Sequence, residues 1–237
     1  MSAPLRKLLP LLFFLALAPA PELRAQAVDE DQLGAWYMYF FTARLGQGPF
    51  GIQGDAQYRN WNLGGDLEQL LLRGGLTYRP AAAPDALLTL GYANVTSGAF
   101  GASDATSGES RLYQEALLSH KLSARLRLAH RFRYEQRWVE GQDFRTRYRY
   151  NLFLNVLLNA DELARGTLYL ALYNELFVNG QRDTGGGRTV AIFDRNRTYA
   201  ALGYGLNDRL RVQFGAMRQV TDALGKWQAQ LSLHQAW

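Results

Sequence analysis

The chain has 237 residues, a formal net charge of +5 and no cysteine. The absence of cysteine excludes disulfide bonds and thiolate metal sites. The modest net charge gives no electrostatic reason to expect nucleic-acid binding. Beyond the N-terminus no apolar run is long enough for a membrane-spanning helix, and the remaining length suits one all-β domain.

The N-terminal segment has the layout of a secretory signal peptide. A basic start precedes an apolar run over residues 8–20, and the small-x-small sequence Ala25-Gln26-Ala27 follows. These features predict a signal peptide over residues 1–27, cleaved before Val28, and one exported domain over residues 28–237. A retained membrane anchor is the alternative, but the apolar run is short for that role and contains proline.

Alternating polarity predicts a series of β-strands in the rest of the chain. Segments in which apolar and polar residues alternate are separated by Gly, Pro, Asn and Asp, the residues of turns. The predicted strands span residues 35–44, 49–61, 66–79, 86–96, 109–121, 124–139, 143–158, 166–178, 190–206, 208–220 and 226–237. These are eleven candidates, whereas a wholly antiparallel barrel needs an even number. We therefore expect ten to twelve strands and favour twelve.

The segment 124–138, with the sequence ARLRLAHRFRYEQRW, has two distinct faces. Successive side chains of a strand point to opposite sides, so Arg133 and Glu135 share one face and Phe132 and Trp138 share the other. A soluble sandwich would turn the apolar face inward, whereas a transmembrane barrel would turn it toward lipid. The alternation by itself leaves both orientations open.

Connector lengths and the C-terminal strand favour the barrel. If the last strand descends to the periplasm, the longer connectors 97–108 and 179–188 fall on the outer side. The joints at 122–124, 159–165 and 206–208 fall on the periplasmic side, and only the joint at 159–165 is somewhat long for that side. The last alternating segment ends at Trp237 and resembles the terminal strands that the outer-membrane assembly machinery of Gram-negative bacteria recognises. We predict an all-β fold, a single antiparallel transmembrane β-barrel in the cell outer membrane, with the bilayer and that machinery as partners.

Several short motifs carry a resemblance to a known family. The most specific is RFRYEQRW at residues 131–138, followed by RYRY at 147–150. LRGGLTY at 72–78, ESRLYQE at 109–115 and FDRNR at 193–197 add to it. With these motifs the chain resembles the DUF2490 family of predicted bacterial outer-membrane proteins over nearly all of its mature length. The resemblance implies a membrane barrel and names no activity.

The polar faces of the predicted strands are rich in Arg and Glu, and they form the candidate site. We expect one charge network inside the barrel, made of Arg73, Arg111, Glu115, Arg131, Arg133, Glu135, Arg137, Arg147, Arg149, Glu175, Arg195 and Arg197. The first interpretation is structural, because arginine pairs bidentately with carboxylates and such pairs would plug a narrow lumen. The second is passage of anionic solutes, since rings of basic side chains select anions in pores. The predicted function is thus a structural or passive solute-passage role.

The case for catalysis rests on one pair of residues. Ser232 and His234 lie two apart on one face of the last strand and could be neighbours, as in barrel lipid hydrolases that use Ser and His. No metal motif or nucleotide fingerprint occurs in the sequence, so we expect no enzyme activity, no metal and no cofactor. A lipid hydrolase and a soluble periplasmic ligand-binding barrel are the alternatives.

Overall fold

The structure is a computed structural model that describes residues 28–237, so the predicted signal peptide lies outside the described residues. Eleven strands make up most of this part of the chain. They are β1 (Gly34–Arg44), β2 (Phe50–Asn60), β3 (Leu67–Tyr78), β4 (Ala86–Gly98), β5 (Thr106–Lys121), β6 (Leu126–Val139), β7 (Arg145–Leu157), β8 (Leu168–Asn179), β9 (Phe193–Gly205), β10 (Leu210–Val220) and β11 (Gly225–Ala236). Among the described residues, no helix is long and apolar enough to cross a membrane.

The eleven strands close into one barrel. Each strand pairs with its sequence neighbours in an antiparallel manner, and β1 pairs with β11 in parallel. This last pairing runs from Gly34 opposite Gln228 to Thr42 opposite Ala236. The all-β barrel and the range of ten to twelve strands are confirmed, but the favoured number of twelve is wrong. An even number is required only when every pair is antiparallel, and the parallel β1–β11 pair removes that requirement.

The charged face of β6 points into the barrel, and its apolar face points outward. Arg133, Glu135 and Arg137 are buried, whereas Phe132 is 50% and Trp138 48% exposed. The other strands repeat this arrangement, with Leu, Tyr and Phe on the outer wall and Gln, Arg and Glu on the inner wall. The chain is therefore a barrel and not a sandwich, and its apolar face is the outer one.

Two glycines let aromatic rings pack closely against the inner wall. Gly91 stands directly opposite Tyr113 across β4 and β5, and Gly203 stands opposite Tyr169 across β8 and β9. A Cβ added at Gly91 would lie 2.3 Å from the Tyr113 ring, and one at Gly203 would lie 2.2 Å from the Tyr169 ring. Tyrosine over glycine fills the inner layer without pushing neighbouring strands apart.

The two ends of the barrel differ in what covers them. The N-terminal end, where β1 and β11 begin, carries connectors 99–105 and 180–192, so the two longer predicted loops lie at the same end. The C-terminal end, where β11 finishes, carries connector 158–167, which is longer than 99–105, so the asymmetry of loop length is small. At the N-terminal end the buried Lys226 Nζ donates to the Asp29 carbonyl oxygen at 3.0 Å, which ties the lead-in segment to β11.

Candidate functional site in the barrel lumen

A closed ring of six charged side chains lies on the inner wall of β5 to β8. In order around the ring these are Glu115, Arg131, Glu175, Arg149, Glu135 and Arg133. Each arginine stands between two glutamates. β6 supplies half of the ring, because residues 131, 133 and 135 of one strand point to the same side.

The strongest contacts of the ring are charge-assisted hydrogen bonds between buried groups. Arg149 donates to Glu175 at 2.5 Å and to Glu135 at 2.6 Å, and Arg131 donates to Glu175 at 2.7 Å. A longer N···O distance of 3.7 Å joins Arg131 to Glu115. Removing one partner from such a desolvated pair leaves an uncompensated charge and destabilises a protein by roughly 3–5 kcal/mol. The ring therefore holds four neighbouring strands in one arrangement.

A branch extends from the ring to β9. Arg147 donates to Glu135 at 2.6 Å and to Asp194 at 3.0 Å, and Arg195 donates to the same Asp194 at 3.1 Å. The branch brings a fifth strand into the ion-pair system.

Two further ion-pair clusters are separate from the ring. Glu109 accepts two hydrogen bonds of 2.7 Å from Arg111 and two of 2.5 and 3.0 Å from Arg137. On the neighbouring β2–β3 pair, Arg73 Nε donates to Asp55 at 2.8 Å. Among residues 28–237 the ion pairs of the lumen thus form three clusters in place of the single network expected from the sequence.

Phe177 lies at the centre of a group of guanidiniums. The guanidinium carbons of Arg149, Arg197, Arg147 and Arg195 lie 4.4, 4.7, 5.4 and 5.8 Å from the centre of its ring. Cations over an aromatic face at such distances are attracted by the ring quadrupole, more strongly when desolvated. The buried Phe177 therefore adds a second attractive contact for arginines that also pair with carboxylates.

Arg197 differs from the other predicted residues. Its Nε donates to the side-chain oxygen of Gln219 at 2.8 Å, and its guanidinium stacks on Trp36 and Phe177 at 4.7 Å from each ring centre. Within residues 28–237 it makes no ion pair with a carboxylate. All twelve predicted residues lie on the inner wall, but Arg197 is held by an amide and two aromatic rings.

Sequence reasoning missed several partners of these arginines. Phe177 and Glu109 lie on the same strand faces as predicted residues, so strict alternation would have found them. Asp55 stands opposite Arg73 in the β2–β3 register. Asp194 is different, because it directly precedes the inward Arg195 and alternation would place it outside. A register shift between β8 and β9 leaves Asp194 unpaired in the ladder, and such a bulge turns its side chain inward.

The lumen also contains an unfilled space. A cavity of about 390 Å³ is lined by five residues of the ring, by Trp36 and Arg59 toward the N-terminal end of the barrel, and by Thr42 and His234 toward the C-terminal end. Phe40, Phe153 and Leu117 contribute apolar side chains to its lining, and Arg211 and His234 contribute polar ones.

Ser232 and His234 are neighbours on the wall of this cavity. Ser232 Oγ lies 3.0 Å from His234 Nε2, and Phe40 stacks on the imidazole with ring centres 4.8 Å apart. Among the described residues no Asp or Glu forms a hydrogen bond with His234. Two members of a Ser–His–acid arrangement are thus in contact, on the inner wall and not on the apolar outer wall.

The chain was compared with known families, curated proteins and solved structures. A family model described as a protein of unknown function, DUF2490, matches residues 33–230. The chain belongs to the DUF2490 family. No curated protein and no solved structure matches it. In this DUF2490 chain the matched range contains the whole ring, its branch and both separate clusters, and it ends before Ser232.

Proposed function

We propose that this chain is an integral outer-membrane barrel with a sealed lumen and a structural role. The observation that carries the proposal is the polarity of the wall, which buries charged groups inside and exposes large apolar side chains outside. Apolar surface in water is unfavourable by about 25 cal/mol per Å². An apolar outer band around a polar interior is the arrangement of transmembrane barrels.

The apolar band continues across the closing pair of strands. Leu202, Phe214, Leu231, Tyr37 and Tyr58 stand directly opposite one another on β9, β10, β11, β1 and β2, and all five are exposed. Contiguous apolar patches larger than a few hundred Å² are rare on soluble monomers. This row of exposed apolar side chains across five consecutive strands supports contact with lipid.

The pairing of the arginines supports a sealed barrel. Each arginine of the ring lies against two glutamates, and the Glu109 cluster and Lys226 are buried toward the N-terminal end. Paired guanidiniums present little net field to a passing anion, in contrast to the unpaired basic rings of anion pores. The ion pairs therefore pack the lumen, and anion passage is the weaker interpretation.

Two features of the chain ends support location in the outer membrane. The sequence predicts a cleaved signal peptide over residues 1–27. The C-terminal strand is paired along its length, and the Trp237 backbone N–H donates to the Thr42 carbonyl oxygen at 2.9 Å. The outer-membrane assembly machinery would recognise this terminal strand before it pairs with β1.

The test uses the full chain expressed in a Gram-negative bacterium. We expect the mature protein in the outer-membrane fraction, faster gel migration before boiling than after, and no steady conductance in a planar lipid bilayer. Folded protein that stays soluble without detergent would overturn the membrane location and favour the periplasmic alternative. A stable channel with higher permeability to chloride than to potassium would overturn the sealed lumen and favour anion passage.

Lipid hydrolysis is a second candidate because of the contact between Ser232 and His234. An activated serine needs a base and usually a third group that orients the base. A phospholipase and esterase assay on the wild type and on Ser232→Ala tests it. Activity in the wild type that is lost in the variant would support hydrolysis, and equal background in both would exclude it.

A further inference from the structure

The cavity in the lumen has the size and position of a ligand site. Its volume of about 390 Å³ lies within the range of roughly 300–1,000 Å³ typical of small-molecule pockets. The inward-facing Thr42 and Ser119 near the C-terminal end are exposed, whereas the inward-facing Lys226 and Glu109 near the opposite end are buried. The cavity is therefore entered from the C-terminal end and closed toward the N-terminal end.

One wall of the cavity offers groups that suit an anion. Arg211 and His234 stand directly opposite each other on β10 and β11, and Ser232 Oγ lies beside the imidazole. Within residues 28–237 the Arg211 guanidinium makes no ion pair and no side-chain hydrogen bond, although the residue is only partly exposed. An arginine whose donors are not used inside the protein can bind a carboxylate with two parallel hydrogen bonds.

The carboxylates that line the cavity are already engaged. Asp55 pairs with Arg73, and Glu115 and Glu175 belong to the ring. The free positive charge of Arg211 is therefore not balanced by a free negative charge on the lining, which favours an anionic ligand over a cation.

Part of the remaining lining is apolar and limits the shape of the ligand. Phe40 packs on His234 beside the anion-binding groups, and Leu117, Phe153 and Ala171 continue the lining toward the ring. A wholly polar anion would leave these side chains uncovered, whereas an aromatic or short aliphatic body would cover them. The volume of the cavity excludes a long acyl chain.

We propose that this cavity binds a small amphipathic carboxylate, with its carboxylate on Arg211 and its apolar body against Phe40 and Phe153. The proposal deepens the proposed function, since it assigns a ligand class to the cavity of the same barrel. It does not require the outer wall to contact lipid.

Isothermal titration calorimetry tests the site with two probes of the same shape. The mature barrel is measured in detergent and in lipid nanodiscs. The probes are 2-naphthoate and the uncharged 2-naphthamide, each corrected for partition into empty micelles or discs. We expect the wild type to bind naphthoate at least tenfold more tightly than naphthamide, because a hydrogen-bonded charge is lost with the amide. We expect Arg211→Gln to weaken naphthoate binding at least tenfold and to change naphthamide binding less than twofold.

Two other variants make the result specific. Arg209→Gln changes an exposed arginine in the adjacent turn and should leave both affinities unchanged. Ala129→Phe places a ring in the cavity and should abolish binding of both probes. Heat-modifiable migration verifies that each variant is folded.

Three results would overturn the proposal: no naphthoate binding by the folded wild type, equal affinity for both probes, or unchanged naphthoate affinity in Arg211→Gln. These results are distinguishable from failure of the proposed function, because the proposed function is tested by membrane fractionation and conductance and not by ligand binding. A barrel found in the soluble fraction that still binds naphthoate would refute only the membrane location.

Discussion

At Glu135 one carboxylate is shared by three arginines in a site with almost no contact with solvent. Its side chain is 1% exposed, with Arg149 on one oxygen and Arg147 on the other, each at 2.6 Å. Arg133 lies farther from it, at 3.8 Å. Three cations therefore share this single negative charge in a desolvated part of the lumen.

The first prediction concerns this carboxylate. Glu135→Gln keeps the shape of the side chain but removes its charge, so each of the three guanidiniums around it loses one of its two carboxylate partners. We expect the free energy of unfolding to fall by about 3–5 kcal/mol, measured by urea unfolding in lipid vesicles with tryptophan fluorescence. Asp161→Asn is the control, because Asp161 and Arg125 form an exposed ion pair with side chains 65% and 56% accessible. For this control we expect the free energy of unfolding to fall by less than about 1 kcal/mol. Equal losses in both variants would contradict the role of the ring.

The second prediction concerns the packing of Tyr113 over Gly91. The Tyr113 ring is buried and covered by the Arg133 guanidinium, 4.4 Å from its centre, so it cannot move away easily. Gly91→Ala should lower the free energy of unfolding by about 1–3 kcal/mol through overpacking. Gly74→Ala should have little effect in the same assay, since a Cβ at Gly74 meets no atom within 4 Å. A larger loss of unfolding free energy in Gly74→Ala than in Gly91→Ala would show that the close contact between Tyr113 and Gly91 does not determine the effect.

At the scale of strands, closure of the barrel depends on β1 and β11. These strands are the first and the last of the chain, and their pairing is the one parallel ladder among the described strands. Since the other pairs are antiparallel, closure of an eleven-strand barrel requires this parallel pair.

The third prediction tests the register of this seam. Tyr39 and Leu233 are opposite each other, and paired strands lie about 4.8 Å apart, within the Cα separation that a disulfide bridges. Tyr39→Cys with Leu233→Cys should therefore cross-link on mild oxidation of the folded barrel. The chain has no native cysteine, so no other disulfide competes. The shifted pair Tyr37→Cys with Leu233→Cys should cross-link poorly. The cross-link yields are measured in a non-reducing gel with peptide mapping. A higher yield for the shifted pair than for the opposite pair would refute the parallel register.

The faces of the strands could be predicted from the sequence, whereas many of the contacts between strands could not. Alternation with a period of two is a local property, so it placed Arg133 and Glu135 on one side without knowledge of the fold. The Glu115–Arg133 contact joins neighbouring strands of one short hairpin and follows from their register. The Arg131–Glu175 contact joins β6 to β8, past an intervening strand, and depends on the curvature of the whole wall.

Two other features were beyond local reasoning. The bulge at Asp194 turns inward a side chain that alternation assigns to the outside, and it results from a register shift between β8 and β9. Closure by an odd number of strands depends on a pairing between the two ends of the chain. Both features depend on how the strands are aligned around the whole barrel, and the sequence of a single segment does not predict them.

For the molecule as a whole, charge and apolarity are separated between the two sides of one wall. The inner side contains ion pairs and a cavity that some of these ion pairs line. The outer side presents large apolar side chains, among them the row across β9, β10, β11, β1 and β2. The ring residues Glu115 and Glu175 belong to both features, whereas Arg211 lines the cavity without an ion pair among the described residues, so the proposed carboxylate site can be disrupted while the ring stays intact.

The last prediction separates a lipid-facing wall from a wall that faces water or a protein partner. Leu90 lies on the outer wall of β4, opposite Leu76 of β3, and is 55% exposed. Leu122 is 57% exposed in a turn at the C-terminal end. In a bilayer, Leu90→Arg should lower the free energy of unfolding by about 2–4 kcal/mol, and Leu122→Arg by at most about 1 kcal/mol, because the cost of a charge falls toward the interface. In water both substitutions would be nearly neutral, since both side chains are equally exposed. Unfolding titrations in vesicles measure the difference, and equal small effects would refute the outer wall as a lipid-facing surface.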